Sequence, residues 1–272
     1  MPSHWLEAYF IRVGHHGSRD PTLDLLSTLC GLHTAAIPFE NLDPLLGRAV
    51  SIDPADIAAK LVYTRRGGYC FEHGGLLSAV LTELGYEVSA LAARVIWQVP
   101  EHTVLPMTHR MIKVELPSGP VLVDVGFGGQ TPTAPLRLET AIEQPTPYGT
   151  YRFTAADPGY ELQMKMADGW SGLYRFTSAP RLPADLDMAN WYAATHPRSR
   201  FVQNLVVSKT ESVGRLSLLN TQLSMRRGDG TVEKRVISSP QMLQETLTER
   251  FGISLPAPVE EIWSRTPSRD TL

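Results

Sequence analysis

The hydrophobic period of this chain changes near Gly85, and that change constrains the fold more than any other feature. Before Gly85, runs such as "WLEAYFIRV" and "CFEHGGLLSAVL" repeat apolar residues at the three- and four-residue spacing of helices. After it, "RVIWQV", "RMIKVEL" and "YELQMKM" alternate apolar and polar residues, as β-strands do. The sequence therefore predicts a helical first third followed by a sheet with antiparallel strands.

Glycines and capping residues mark the expected helix ends. We expect helices over 5–13 and 23–30, ended by Gly14 and Gly31, and a third helix capped by Asp53. A fourth helix begins near Cys70 and ends at Gly85. Its interior pair "GG" at 74–75 costs about 1 kcal/mol per glycine relative to alanine.

The last third combines further strands with a final helix. The runs "NLVVSK", "RLSLL" and "QLSMRR" predict strands, and "SPQMLQETLTERFG" predicts a helix with Ser239 as its cap and Gly252 after its end. The proline-rich tail after Leu255 is expected to be extended or frayed.

Composition excludes several classes of protein. A formal charge of −3 without a Lys/Arg run gives no footprint for nucleic acid. No apolar run approaches the roughly 18 residues of a membrane span, and the N-terminus lacks signal-peptide features, so we expect a cytoplasmic protein with no membrane partner. Two cysteines, Cys30 and Cys70, without metal-ligand spacing favour neither a disulfide framework nor a metal site.

The motif "RRGGYCFEH" (65–73) suggests a nucleophilic thiol. The pair "GG" at 67–68 allows positive φ and a close approach of the chain, and the helix that follows would direct free N–H groups and its positive dipole end at Cys70. These conditions stabilise a thiolate and an oxyanion. A loop without a catalytic role, followed by a buried structural cysteine, explains the same motif equally well.

A nucleophilic thiol needs a base and an orienting group. Three histidines are candidate bases: His73, one turn along the same helix; His102, in a loop; and His109, just before a predicted strand. His109 is preferred because it would face Cys70 from another element. Asp124 follows the apolar run "VLV" and needs a partner at the end of that strand. The order Cys70, His109, Asp124 matches the roles of a papain-like core.

Longer stretches resemble the arylamine N-acetyltransferase family. They are "IPFENLDPLLGR", "RRGGYCFEH", "LAARV", "THR", "VLVDVGFGGQTPTAPLRL" and "NWYAATHPRSRFVQNLVV", spread in family order over 37–207. The resemblance implies an α+β fold with a papain-like Cys-His-Asp core. It implies three parts: an N-terminal helical bundle (1–86), a central antiparallel β-barrel (87–189) and a C-terminal α/β lid (190–272).

The resemblance also implies a ping-pong acetyl transfer from acetyl-CoA to the amine of an arylamine or arylhydrazine. Cys70 would be the nucleophile, His109 its proton partner and Asp124 the orienter. The implied acceptor-pocket wall is Phe39, Val95 and Phe127, although Phe39 and Val95 fit a core role equally well. Backbone close to the cofactor is implied at Gly126, Gly128 and Gly129.

Three further points follow from these motifs. Glu40 and Arg66 are expected to form a structural charge pair that braces the loop before the cysteine. The family usually continues "FEQN" where this chain has "FEHG", so His73 and Gly74 depart from its pattern. The sequence is compatible with either a monomer or a homodimer as the oligomeric state.

Three other functions remain alternatives on the sequence alone. An amide synthase of the same fold would use the triad to close a chain on its own amine. A papain- or transglutaminase-like thiol hydrolase would use water or a peptide as its second substrate. A silent binding protein would keep the scaffold and lose a triad member, and none is missing here.

Overall fold

The computed structural model describes residues 4–100, 103–228 and 230–268, and its first third is helical as predicted. No helix among these residues is long and apolar enough to cross a membrane. The N-terminal elements are the helices α1 (Trp5–Val13), α2 (Leu23–Ala36), α3 (Leu42–Leu45), α4 (Pro54–Ala58) and α5 (Cys70–Glu83), with a short strand, β1 (Phe39–Glu40), before α3. A π-helical turn, Ala59–Tyr63, extends α4.

The predicted helix caps are confirmed with one correction. Gly14 ends α1 in the left-handed conformation (φ 75°), and the Asp53 carboxylate accepts a hydrogen bond from the Ala55 N–H at 2.8 Å. The predicted end of α2 at Gly31 is wrong, because that helix continues to Ala36. Its last turn places the buried His33 within hydrogen-bond distance of Tyr9 and His73, and these contacts offset the modest cost of one interior glycine.

The middle of the chain forms a nearly closed antiparallel barrel. Within the described residues its sheet has eight strands in the order β5-β4-β3-β2-β9-β8-β7-β6. The strands are β2 (Glu87–Val95), β3 (Met107–Glu115), β4 (Val121–Val123), β5 (Leu136–Arg137), β6 (Gln144–Thr146), β7 (Gly149–Ala155), β8 (Tyr160–Met166) and β9 (Gly169–Phe176). The prediction of a strand over "YELQMKM" is confirmed in full by β8.

The strand predicted over "RVIWQV" is wrong beyond Val95, where β2 ends. The N–H groups of Ile96 and Trp97 both donate to the Leu173 carbonyl, at 2.9 and 3.1 Å, so the chain turns there and leaves the ladder. Gln98 follows with a positive φ of 56°, which a continuing strand could not hold.

The C-terminal third forms a second sheet on which β1 is the edge strand. The order among the described residues is β1-β10-β11-β12-β13, all antiparallel. Phe39 pairs with Ser208 and Glu40 with Val207, so the N-terminal part of the chain completes this sheet. The strands are β10 (Val206–Glu211), β11 (Gly214–Leu219), β12 (Gln222–Arg227) and β13 (Val232–Val236).

The described residues of this third also form the helices α6 (Pro183–Thr195), α7 (Arg200–Gln203), α8 (Pro240–Glu245) and α9 (Val259–Arg265). A π-helical turn, Thr246–Arg250, extends α8, and α6 contacts β3 of the barrel. The predicted cap of α8 is confirmed, since the Ser239 hydroxyl accepts from the Met242 N–H at 3.2 Å. The extended tail predicted after Leu255 is wrong, because α9 lies there. It is held by Val259 and Ile262, which are buried in the apolar cluster of the C-terminal sheet.

The arrangement brings α5 against the barrel at the place where the C-terminal sheet begins. The helix contacts β2 and β3, and β1 lies between its N-terminus and β10. The division of the chain at residues 86 and 189 stays a prediction; α6 runs across the second of these positions.

Candidate active site

Cys70 is the first residue of α5, and the two glycines before it are required by close contact. A Cβ at Gly67 would lie 2.1 Å from the Pro38 carbonyl oxygen, and one at Gly68 would lie 2.7 Å from the Glu72 carboxylate. The positive φ expected here occurs at neither glycine but at Arg65, with φ 54°. The loop thus lies flat against β1, and Glu40 donates its N–H to the Gly68 carbonyl at 2.8 Å.

The start of α5 leaves backbone donors beside the sulfur. Glu72 reaches back and its carboxylate accepts from the Tyr69 N–H at 3.1 Å, which fixes the first turn. Within the described part of the chain, the N–H groups of Cys70 and Phe71 donate no hydrogen bond. The Cys70 thiol itself is buried and donates to the Thr108 carbonyl at 3.5 Å, one residue before His109.

His109 and Asp124 form a buried hydrogen-bonded pair on neighbouring strands of the barrel. His109 lies in β3, Asp124 directly follows β4, and the imidazole Nε2 is 2.8 Å from the carboxylate Oδ2. The same Oδ2 accepts from the Tyr174 hydroxyl at 2.8 Å, and Oδ1 accepts from the Gly126 N–H at 3.0 Å. Three donors therefore hold the carboxylate in one orientation. Because Nε2 of His109 is used in this bond, its other ring nitrogen, Nδ1, is the one that can hydrogen-bond to the Cys70 sulfur.

The electrostatics of this group favour a protonated imidazole. Burial opposes a charge on His109, but the Asp124 carboxylate and the Cys70 sulfur outweigh that opposition and raise the pKa of His109 to about 10. A proton that leaves the thiol therefore has a stable place on the imidazole. Cys70, His109 and Asp124 thus have the order that activates a thiol, in which a base lies beside the sulfur and a carboxylate orients the base.

His73, the alternative base, has no free nitrogen to offer Cys70. Its Nε2 is 3.2 Å from the Pro38 carbonyl oxygen, and its Nδ1 is 2.8 Å from Nε2 of the buried His33. The other alternative, His102, lies outside the described residues.

The glycine pair inside α5 makes room for two side chains from other elements. A Cβ at Gly74 would lie 3.1 Å from Cγ of Arg110, and one at Gly75 would lie 2.6 Å from Cδ1 of Ile57. The Arg110 guanidinium crosses the helix here and donates to the Phe71 carbonyl at 3.4 Å. The departure of Gly74 from the family pattern thus leaves α5 continuous.

Of the three predicted wall residues, Phe127 lies against a reacting group. The Phe127 ring meets the imidazole of His109 edge-on, with centroids 4.9 Å apart. Phe39 is buried, with its ring 5.9 Å from that of Phe201. Val95 is half-buried and pairs in register with Tyr174, the residue whose hydroxyl donates to Asp124.

The three predicted cofactor glycines form a tight loop between the barrel and the C-terminal sheet. A Cβ at Gly126 would lie 2.8 Å from Cα of Cys70, so this glycine is required for the approach of the two segments. Gly128 has a positive φ of 78° and begins a 3₁₀ turn that ends at Gln130. The Gly129 carbonyl accepts from the buried Arg215 guanidinium at 3.0 Å, which ties the loop to β11.

The charge pair expected between Glu40 and Arg66 is present and belongs to a larger buried network. Arg66 donates to Glu40 at 2.8 Å and to Asp43 at 3.1 Å. Lys60 bridges Asp43 and Glu72, each at 2.7 Å. The network therefore joins β1, α3 and the first turn of α5 around the loop that carries the cysteine.

Sequence reasoning did not find Tyr174 or Arg110. Tyr174 could have been noticed as an inward-facing residue of "GWSGLYRF", but its partner lies 50 residues away and pairing of β2 with β9 brings the two together. Arg110 follows His109 in the sequence. The glycine pair in α5 was the sequence feature that indicated a large side chain packed closely against that helix.

Comparison with known proteins finds relatives over nearly the whole chain. The family model described as N-acetyltransferase matches residues 22–259. The arylamine N-acetyltransferase of Mycobacterium tuberculosis is 46% identical over an alignment of 278 positions, which covers 97% of this chain and 98% of the relative. That of Escherichia coli is 37% identical, covering 92% of this chain and 89% of the relative.

Solved structures agree as well. The arylamine N-acetyltransferase of Mycobacterium marinum superposes with a TM-score of 0.93 at 42% identity, covering 96% of this chain and 98% of that one. A second structure of the M. marinum enzyme, in complex with CoA, gives a TM-score of 0.92 over the same shares of the two chains. Sequence and fold thus agree over nearly the whole length, and this chain belongs to the arylamine N-acetyltransferase family.

Proposed function

We propose that this enzyme transfers an acetyl group from acetyl-CoA to the amine of arylamines and arylhydrazines, through an acetyl-cysteine intermediate. The observation that carries the proposal is the buried Cys70 thiol at the start of α5, beside an imidazole that a fixed carboxylate holds. Membership of the family supports the overall reaction, and the roles of the individual residues are argued from their contacts.

The first half-reaction forms the acetyl-enzyme. The thiol proton passes to His109, and the Cys70 sulfur attacks the thioester carbonyl carbon. The bond between that carbon and the CoA sulfur then breaks, and CoA leaves as a thiol with the proton that His109 returns. The high pKa of His109, which the carboxylate of Asp124 and the sulfur sustain, favours the thiolate–imidazolium pair that begins this step.

The oxyanion of the tetrahedral intermediate needs fixed donors within reach of the sulfur. The unbonded N–H groups of Cys70 and Phe71 lie in the first turn of α5, at the positive end of the helix dipole and next to the sulfur in sequence. They are therefore candidate donors to this oxyanion. We assign the oxyanion hole to the Cys70 N–H with at least one further donor.

The second half-reaction passes the acetyl group to the amine. The amine nitrogen attacks the acetyl carbon, His109 takes a proton from that nitrogen, and the Cys70 sulfur leaves as a thiolate. Phe127, in edge contact with His109, offers an aromatic face beside the reacting groups, and Phe39 and Val95 complete the proposed acceptor wall.

CoA is placed by analogy with the M. marinum enzyme, whose structure holds it. The residues that we propose to contact it are Gly126, Gly128 and Gly129. Gly128 and Gly129 carry no side chain and are half-buried, so their backbone is open to a ligand, and the hydrogen bond from Arg215 to the Gly129 carbonyl holds the loop in place.

Intact-protein mass spectrometry tests this function. Wild type and Cys70→Ala are mixed briefly with acetyl-CoA in the absence of amine, and an arylamine is then added. We expect a single acetyl adduct on wild type alone, discharged by the amine with formation of the arylamide. A folded wild-type protein that forms no adduct and releases no CoA would contradict the proposal and favour the amide synthase alternative.

A further inference from the structure

A chain of three buried hydrogen bonds crosses the helical part of the molecule and ends beside the proposed acceptor wall. It begins at the Tyr9 hydroxyl in α1, 3.1 Å from Nδ1 of His33 in α2. It continues from Nε2 of His33 to Nδ1 of His73 in α5, at 2.8 Å. It ends with Nε2 of His73, 3.2 Å from the carbonyl oxygen of Pro38.

The direction of all three hydrogen bonds follows from the last acceptor in the series, the Pro38 carbonyl oxygen. A carbonyl oxygen can only accept, so Nε2 of His73 carries a hydrogen and Nδ1 of the neutral ring accepts. His33 must then donate from Nε2 and accept at Nδ1 from the Tyr9 hydroxyl. Burial keeps both imidazoles neutral, since it lowers the pKa of His73 to about 4 and that of His33 well below its usual value. The three bonds thus have one consistent orientation.

The last hydrogen bond of this series, from His73 to Pro38, holds the segment that carries Phe39. Pro38 directly precedes Phe39, and its carbonyl oxygen accepts from both His73 and the Gly68 N–H, the latter at 3.3 Å. The His73 ring also lies parallel to the Phe39 ring, with an interplanar angle of 8° and centroids 6.2 Å apart. His73 therefore contacts both the backbone and the side chain of this segment.

We propose that His73 is a positioning residue that confers preference for aromatic acceptors, because it fixes the backbone before Phe39 and the plane of the Phe39 ring. This inference rests on the proposed function, and in particular on Phe39 as part of the acceptor wall. His73 acts through Phe39 and not on the sulfur, since both of its nitrogens are bonded elsewhere. Loss of His73 should therefore alter acceptor choice and leave the acetylation of Cys70 unchanged.

The test compares two hydrazines that differ in the ring. Phenylhydrazine and methylhydrazine present the same nucleophilic group, and kcat/KM is measured for each with acetyl-CoA as the donor. The variant His73→Leu removes both nitrogens while it keeps an apolar side chain at this position. The variant His73→Gln restores one donor and one acceptor, so that it can bond Pro38 and His33 again.

In His73→Leu we expect kcat/KM for phenylhydrazine to fall about tenfold and that for methylhydrazine to fall less than about twofold, since the variant loses both buried hydrogen bonds of His73, including the one that fixes the Pro38 carbonyl before Phe39. The rate of acetyl-enzyme formation without amine should equal that of wild type. His73→Gln should recover most of the phenylhydrazine activity. Equal losses for both hydrazines, or no loss in His73→Leu, would overturn the inference.

Tyr9→Phe is the matched control. It removes a buried hydrogen bond from the same chain, at the far end from Pro38, and should leave the ratio of the two kcat/KM values unchanged. His73→Asn is the second variant for the case of poor folding of His73→Leu, because its amide is too short to reach both Pro38 and His33. A wild-type protein that acetylates neither hydrazine would overturn the proposed function, whereas active wild type with an unaltered ratio in the variants would overturn this inference alone.

Discussion

Tyr174 and His109 bind the same carboxylate oxygen of Asp124, each at 2.8 Å. The tyrosine hydroxyl comes from β9 and the imidazole from β3, so two strands on either side of β2 converge on one atom. The orientation of the imidazole therefore depends on Tyr174, which shares its carboxylate oxygen and whose ring packs against it with centroids 4.9 Å apart.

Tyr174→Phe should slow acetyl-enzyme formation about tenfold, because a hydrogen bond to a charged group contributes about 1.5–3 kcal/mol and the carboxylate would lose one of its three donors. Stopped-flow measurement of CoA release in the absence of amine gives this rate. The matched control is Tyr86→Phe, which removes another tyrosine hydrogen bond, to the Thr22 carbonyl at 2.7 Å, and should leave the rate unchanged. An unaltered rate in Tyr174→Phe would show that the other two donors suffice.

Gly126→Ala should lower the activity about 100-fold, because the added Cβ would lie 2.8 Å from Cα of Cys70 and would displace the proposed nucleophile. Steady-state kinetics with an arylamine measure the loss, and circular dichroism checks that the fold is kept. Gly31→Ala is the control, since its Cβ would meet nothing closer than 3.9 Å inside α2. Wild-type activity in Gly126→Ala would mean that Cys70 tolerates a shifted backbone.

Arg66→Ala should lower the free energy of unfolding by about 3–5 kcal/mol, because the buried Glu40 carboxylate would lose its partner. Urea denaturation measures this change. Arg19→Ala breaks an exposed pair with Glu7 and should cost about 0–1 kcal/mol. A melting temperature of Arg66→Ala equal to that of wild type would contradict the structural role of the pair.

The stability that His109 contributes should depend on pH in the alkaline range. Its pKa is raised to about 10 in the folded chain, against about 6.5 when unfolded, so the folded state binds the proton more tightly. This contribution is fully present below about pH 6.5 and is lost as the pH rises towards about 10. The difference in unfolding free energy between wild type and His109→Gln should therefore narrow over this range, by at most about 1.4 kcal/mol per pH unit. Urea denaturation at several pH values checks it, and a constant or widening difference would contradict the assignment.

Features that depend on local sequence were predicted well. The start of α5 at Cys70, its end before Gly85 and the capping by Asp53 each follow from a few neighbouring residues. The stretch that resembles a known family also led to His109 and Asp124, which the structure places in contact.

Features that depend on distant contacts could not be predicted in this way. The end of β2 at Val95 is set by hydrogen bonds to Leu173, and α9 forms where the prolines suggested an extended tail because Val259 is buried against the C-terminal sheet. The glycine pair in α5 makes room for Arg110, which comes from β3 on the other side of the contact. Such partners are separated by tens of residues, and sequence periodicity carries no information about them.

The two-residue strand β1 also constrains how the protein is synthesised. Phe39 and Glu40 pair with Ser208 and Val207, more than 160 residues later in the chain. While the ribosome is still translating the barrel, β1 has no strand on that side, and Phe39 lacks the ring of Phe201 that packs on it. The proposed nucleophile is therefore made early, whereas the partners that complete the surroundings of Phe39, in the proposed acceptor wall, are made more than 160 residues later.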